Sequence, residues 1–326
     1  MSSTPTACSR RGEGASSTAS RGSTRSCPRG ASCQRRISRR RCSPTAATSR
    51  TTSSRTTARS SSSSVSIELR RPRGRFARVG HRGAAALAPE NTLRSFELAV
   101  ELGCDMLELD VLPLADGTLV LAHSNDLREI SHGSARGRVR RKTLEAVRRV
   151  APNLPTFDEA LSFFAERLPR IGLQIDLKRR GVEEGVVEAL RRHGLIDRSW
   201  VSGFDGASLR RMAALEPELP RSYTLPRDRL GLSRRGPFAP VIRASLASIG
   251  ASLPRRLPGL LASARASAAT LHYSVASPAA IRRAHDVGAA VYVWTVDDPG
   301  AAQTLIDAGA DGIITNDPRI FGSLRA

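Results

Sequence analysis

Two segments of the chain read alike. LGCDMLELD at 102–110 and AGADGIIT at 308–315 each leave a helical pattern, pass a glycine and enter a short apolar strand. A strand that is apolar on both faces and follows a helix belongs in a parallel sheet covered by helices. The alternation recurs between them. Strand candidates lie at 77–81, 105–111, 171–177, 198–203, 220–224, 268–272, 290–295 and 311–315. Segments 95–103, 156–168, 184–194, 207–216, 277–288 and 299–309 carry apolar residues at spacings of three and four, as helices with one buried face do. Several open on Ser, Thr or Asp and close on Gly, as capped helices do. Eight strands with intervening helices predict an α/β fold, a (β/α)8 TIM barrel. A doubly wound sheet is the alternative, and no GxGxxG loop supports it.

One stretch breaks the alternation. Between Glu108 and His123 there is no room for a helix, and ELDVLPLADGTLVLAH reads as a β-hairpin turning at Asp116-Gly117. Folding it after the second strand brings Asp110 roughly opposite His123.

The N-terminal part has a different composition. Residues 1–64 hold 29 Ser or Thr and 13 Arg against one acidic residue, Glu13, so most of the chain's net charge of +21 comes from there. Such a segment buries too little apolar surface to offset its ordering entropy. A disordered tail is expected over 1–70 and a folded domain over 75–322. The tail reads as an arm for nucleic acid or anionic lipid, as an inert segment, or as out-of-frame sequence ahead of a true start near Val65. Cys8, Cys27, Cys33 and Cys42 lie in it without the spacing of zinc knuckles, which leaves Cys104 alone in the folded part. No disulfide framework, signal-peptide core or membrane-length apolar run is present, so a cytoplasmic protein of unknown oligomeric state, with no specific nucleic-acid partner, is expected.

The charged residues of the strands carry the chemistry. Glu108 and Asp110 are two apart and share a face. Two inward carboxylates repel and are desolvated, so an arginine, a lysine or a metal must balance them. Asp176 adds a third carboxylate from another strand, with Lys178 two residues on. Three such oxygens suit Mg²⁺ or Ca²⁺ rather than zinc. His81 ends the first strand, where barrel active sites lie. His81 and His123 suit acid–base work near neutral pH, and Arg82 and Lys178 suit phosphate. His193 and His285 fall near helix C-termini, and His272 is a weak strand-end candidate. Glu90 and Asn91 either meet substrate or orient His81, with a helix cap as the other use of Asn91. Trp294 either packs on substrate or fills the barrel rim. The segment 225–267 reads as a solvated helical excursion, a cover for the barrel mouth or a membrane contact.

These residues resemble a known family, the glycerophosphodiester phosphodiesterases. The matching run is HRG (81–83), PENT (89–92), Phe96, Gly103, Asp105, ELDV (108–111), DG (116–117), His123 and Leu127. It continues through PT (155–156), IDLK (175–178), SGF (202–204), VYVWTVD (291–297) and GADGIITNDP (309–318). The resemblance implies a TIM barrel that uses a divalent metal to hydrolyse a small-molecule glycerophosphodiester to an alcohol and sn-glycerol 3-phosphate. It implies His81 and His123 as the acid–base pair, Glu108, Asp110 and Asp176 as metal ligands, and Arg82 and Lys178 on phosphate. Through the likeness to phosphoinositide phospholipases C, it also implies attack by a neighbouring hydroxyl and a cyclic intermediate. The chain departs from the family pattern where Asp176 replaces Glu, Ser124 replaces Asp, Asp297 replaces Asn and Asn316 replaces Asp. A lysophospholipase D-like activity and a non-catalytic phosphate-binding role are the alternatives.

Overall fold

The computed structural model describes residues 67–72, 74–226 and 239–325, and for 239–243 the backbone only. Nearly all of the expected tail lies outside them. Eight parallel strands close on themselves: β1 (Ala77–His81), β2 (Met106–Pro113), β4 (Gly172–Leu177), β5 (Ser199–Gly203), β6 (Arg221–Leu225), β7 (Ala268–His272), β8 (Ala290–Trp294) and β9 (Gly312–Thr315). Closure is made by β1, which pairs with both β2 and β9. β3 (Leu119–Leu121) pairs antiparallel with the end of β2. The expected barrel with its hairpin after the second strand is thus the fold.

Period-two alternation sorts the strand residues. On β2, Leu107, Leu109 and Val111 pack outward against the helices, while Met106 belongs to a separate cluster inside the bore. The outer layer is α1 (Leu93–Glu101), α4 (Phe157–Arg167), α5 (Glu183–Arg192), α6 (Gly206–Leu215), α7 (Ala239–Ala264), α8 (Pro278–His285) and α9 (Pro299–Asp307). Their starts follow capping chemistry. Thr156 and Glu159 form a reciprocal capping box on α4, and Ser277 and Asp298 cap α8 and α9, each of which has proline in its first turn.

The lower bore is plugged by Ile67, Leu69, Val79, Met106, Trp200, Tyr292 and Ile314. Ile67 and Leu69, at the end of the expected tail, are part of this plug, and Ile67 N–H donates to Asp197 O at 2.7 Å. Gly312 is required here, because any Cβ would enter the Tyr292 ring. A third apolar cluster lies under the hairpin, where α2 (Leu127–Ile130) and α3 (Leu144–Arg148) supply Leu127 and Val147 beside Leu112 and Val120.

Two expectations are corrected. The hairpin pairs Val111 with Leu121, so Ala122 rather than His123 stands opposite Asp110, and Ala122 N–H donates to Asp110 O at 3.1 Å. The turn from Leu114 to Thr118 sets that register, and His123 follows the end of β3. The segment 225–267 is not a solvated excursion where it is described: α7 buries Leu253, Leu257 and Leu261 in the main core. Its apolar residues four apart form one stripe, and Pro254 and Pro258 do not end the helix. Residues 227–238 lie outside the described chain.

Candidate active site

Strand register assembles the site at the C-terminal end of the barrel. His81 on β1 is level with Glu108 on β2, Asp110 with Asp176 on β4, and Asp176 with Ser202 on β5. These five residues, on four strands, therefore meet because parallel strands align their ends. Glu108, Asp110 and Asp176 are all buried, and each offers an oxygen within 4.8 Å of the others. Asp176 reaches the cluster despite being one methylene shorter than glutamate.

Two cations stand among these three carboxylates. Lys178 Nζ lies 2.5 Å from Asp110 Oδ1 and 2.6 Å from Asp176 Oδ2, and Arg82 Nε lies 3.1 Å from Asp110 Oδ2. Burial disfavours charge on Asp110, yet Lys178 and Arg82 outweigh it and hold that carboxyl below the usual range. Asp110 and Asp176 likewise hold Lys178 protonated against burial. Glu108 is worse served. Burial and the Asp110 charge push its carboxyl well above the usual range. Its Oε2 accepts from the Arg82 backbone N–H at 3.0 Å and lies 3.9 Å from His81 Nε2. With all three carboxylates ionised, three negative charges face two positive ones. A divalent cation fits this deficit, and an all-oxygen donor set is the kind that Mg²⁺ or Ca²⁺ takes.

His81 is held from behind. Its Nδ1 is 2.7 Å from Asn316 Oδ1, and Asn316 Nδ2 donates to Asp297 Oδ2 at 2.8 Å. A carboxylate only accepts, so the amide nitrogen of Asn316 must face Asp297 and its oxygen must face His81. Nδ1 is then the protonated nitrogen and Nε2 carries the lone pair. Burial and the Arg82 charge bring the His81 pKa down to about 3, so the ring is neutral near pH 7. His123 lines the same pocket and is close enough for its charge to act on Asp110.

The other expected residues have varied positions. Asn91 does not cap a helix: Thr92 caps α1, and Asn91 Nδ2 donates to Asp110 Oδ2 at 2.8 Å while its Oδ1 accepts from the Asp110 backbone at 3.1 Å. Asn91 sits at φ 57, a left-handed conformation asparagine tolerates. Glu90 pairs with Arg82 at 2.6 Å. Trp294 lines the pocket with its ring 5.9 Å from Phe204 and 5.3 Å from His272. His193 and His285 are outside it, bonded to Asp158 and Asp311. Asp126, two residues beyond Ser124, caps α2. Sequence reading passed over Gln174, Ser202, Phe204, Thr224 and Thr270 as site residues. Gln174 was visible as the inward neighbour two before Asp176, whereas the Asn316–His81 contact spans 235 residues without a local signal.

The comparisons agree with this geometry. The model of the glycerophosphoryl diester phosphodiesterase family matches residues 81–320. The glycerophosphodiester phosphodiesterase of Caldanaerobacter subterraneus subsp. tengcongensis is 27% identical over 262 residues, covering 76% of this chain and 96% of that one. That of Bacillus subtilis is 24% identical over 280 residues, covering 77% and 87%. Among solved structures, an Oleispira antarctica phosphodiesterase in complex with the product sn-glycerol-3-phosphate aligns with a TM-score of 0.58 at 24% identity, covering 77% of this chain and 96% of that one. The family match spans β1 to the C-terminal 3₁₀ turn and includes every residue of the carboxylate cluster. The chain is a phosphoric diester hydrolase and belongs to the glycerophosphoryl diester phosphodiesterase family.

Proposed function

We propose that the barrel domain, 75–322, is a divalent-metal-dependent glycerophosphodiester phosphodiesterase releasing an alcohol and sn-glycerol 3-phosphate. His81 and His123 act as its acid–base pair. Glu108, Asp110 and Asp176 would hold the metal. The observation that carries this reading is the convergence of three buried carboxylates, two cations and two histidines on one pocket. The product captured in the Oleispira enzyme supports the choice of glycerol 3-phosphate.

When bound, the cation would polarise a phosphoryl oxygen and ease deprotonation of a nearby hydroxyl. The residues supply the rest. The glycerol hydroxyl next to the ester attacks phosphorus and gives its proton to His81 Nε2, the nitrogen left free by Asn316. The bond from phosphorus to the departing alcohol breaks, and His123 protonates the leaving oxygen. The resulting cyclic phosphate is opened by water, with the proton transfers reversed. Arg82 and Lys178 neutralise charge growing on the phosphoryl oxygens. Glu90 and Asn91 serve by fixing Arg82 and Asp110, and Trp294 covers the carbon chain of the glycerol.

The test is product analysis with purified protein. Glycerophosphocholine and glycerophosphoethanolamine should yield glycerol 3-phosphate with Mg²⁺ or Ca²⁺, and not in chelator. Turnover that survives chelator, or no glycerol 3-phosphate across the panel, overturns the reading. Turnover of lysophosphatidylcholine alone would move the assignment to a lysophospholipase D-like activity.

A further inference from the structure

Behind His81 the nearest negative charge is one side chain removed from the ring. Asp297 follows β8 and Asn316 follows β9, neighbouring strands of the barrel. Asp297 is exposed, yet its donors among the described residues all come from Thr315 and Asn316. Its Oδ1 accepts from the Asn316 backbone N–H at 2.8 Å and from Thr315 Oγ1 at 2.9 Å, and its Oδ2 accepts from Asn316 Nδ2 at 2.8 Å. The adjacent carboxylates are engaged elsewhere. Asp298 caps α9, and Asp317 caps the C-terminal 3₁₀ turn and pairs with Arg319.

The Asn316 backbone is pinned on both sides, its N–H by Asp297 and its carbonyl by the Ala86 N–H at 3.0 Å. What stays free is the flip of the side-chain amide. The two ends of an amide are nearly equal in size, so packing does not choose between the flips and hydrogen bonding must. His81 does not choose either, because each flip suits one tautomer of the ring. An amide oxygen takes the Nδ1 proton, and an amide NH2 gives one to a bare Nδ1. Asp297 does discriminate, since a carboxylate has no proton to give. An inverted amide would set its oxygen against Asp297 Oδ2.

Resting on the function proposed above, we infer that Asp297 is a positioning residue for the catalytic base: through Asn316 it keeps the His81 proton on Nδ1 and leaves Nε2 free to take the proton of the attacking hydroxyl. Asp297 touches neither the ring nor the pocket. It acts by fixing the direction of a chain of hydrogen bonds, from imidazole N–H to amide oxygen and from amide NH2 to carboxylate. Such a chain can be reversed by one substitution. In Asp297→Asn the new side chain must still accept from Thr315 and from the Asn316 N–H, so its NH2 faces the Asn316 side chain. Asn316 then turns its oxygen to that NH2 and its own NH2 to His81, and the ring proton moves to Nε2.

On sn-glycero-3-phosphocholine, Asp297→Asn should lower kcat by a factor on the order of 10² with KM changed only a few-fold. The double variant Asp297→Asn/Asn316→Asp puts a carboxylate against the Nδ1 proton and an NH2 behind it. Its kcat should return to within about tenfold of the wild type, so the second substitution recovers what the first lost. Wild-type kcat in Asp297→Asn overturns the inference, as does a double variant no faster than the single one. NMR of protein labelled with nitrogen-15 histidine, near neutral pH, reads the tautomer itself, with His81→Gln identifying the signal. The wild type should carry its proton on Nδ1 and Asp297→Asn on Nε2. An Nε2–H ring in the wild type, or an unmoved proton in the variant, overturns the inference. Should Asp297→Asn fold poorly, Asp297→Ala carries the same reading: the flip is then undirected and both tautomers should appear, whereas Nδ1–H alone would refute the role. The spectrum needs no turnover. A tautomer shift in a protein that hydrolyses no glycerophosphodiester would sink the proposed function and keep the role of Asp297. Full turnover with an unmoved tautomer would do the reverse.

Discussion

The two ends of the barrel bore are built from the same strands and hold opposite chemistry. On β2, Met106 joins the apolar plug while Asp110, four residues on, joins the carboxylate cluster. On β8, Tyr292 packs against Trp200 in a tilted pair with ring centroids 4.7 Å apart, and Trp294 lines the pocket. The lower end is capped by Ile67 and Leu69, which pack against its apolar side chains. The upper end holds three buried carboxylates. Inward orientation is thus a property of strand alternation, and function is decided by which residue types occupy the inward positions at each height. A buried charge cluster is weak support for stability. Stability belongs to the plug and the outer layer, and the mouth is free to be costly.

This contrast can be broken at either end. The largest effect is expected at the mouth: His81→Ala and His123→Ala should each lower kcat by a factor on the order of 10²–10⁴, about 3–5 kcal/mol in barrier. Their thermal midpoints should stay near that of the wild type, read by circular dichroism beside the kinetics. Unimpaired turnover in both variants would remove the histidines from the chemistry. At the plug the pattern should invert. Trp200→Ala empties a fully buried site and should cost about 3–5 kcal/mol of stability. Its kcat, assayed well below the melting transition, should hold within a few-fold; a selective loss of rate would show that the two ends are coupled. Leu69→Ala should cost about 2–3 kcal/mol in denaturant titration. A negligible cost would show that residues 67–70 do not seal the bore. The smallest effect has the opposite sign. Glu108 has a raised carboxyl pKa, so the folded state binds its proton more tightly than the unfolded chain. Its ionisation penalises folding once the pH rises above the ordinary value of 4.5, and the penalty disappears below it. Glu108→Gln should therefore raise the metal-free melting temperature at pH 8, with the gain shrinking toward pH 4.5. A lower midpoint at pH 8 would contradict the charge imbalance drawn for the cluster.

Much of this was legible in one dimension. The eight strands fall within a residue or two of their expected bounds, because a doubly buried strand between capped helices needs a short apolar run and clear stops. Glu108, Asp110, Asp176 and Lys178 stood out because charge inside apolar strands demands compensation. Less was legible where contacts outrun local pattern. Placing His123 opposite Asp110 treated the hairpin as ideal, and the turn moved it by one residue. Asn91 was expected to meet substrate or orient His81, with a helix cap as its other use; the cap is Thr92, and Asn91 turns back to Asp110 through a left-handed backbone. The segment 225–267 was read as a solvated excursion, a mouth cover or a membrane contact, yet the apolar stripe of α7 docks on the core, since tertiary burial outweighs local propensity.

Alternation, capping and buried charge were properties of neighbours along the chain, so the barrel, its hairpin and the strand-end carboxylates could be read from residue order. Register between strands was not such a property. It is set by closure of the whole sheet, and that closure put Asp110 beside Asp176, Asn316 behind His81, and Asp297 behind Asn316.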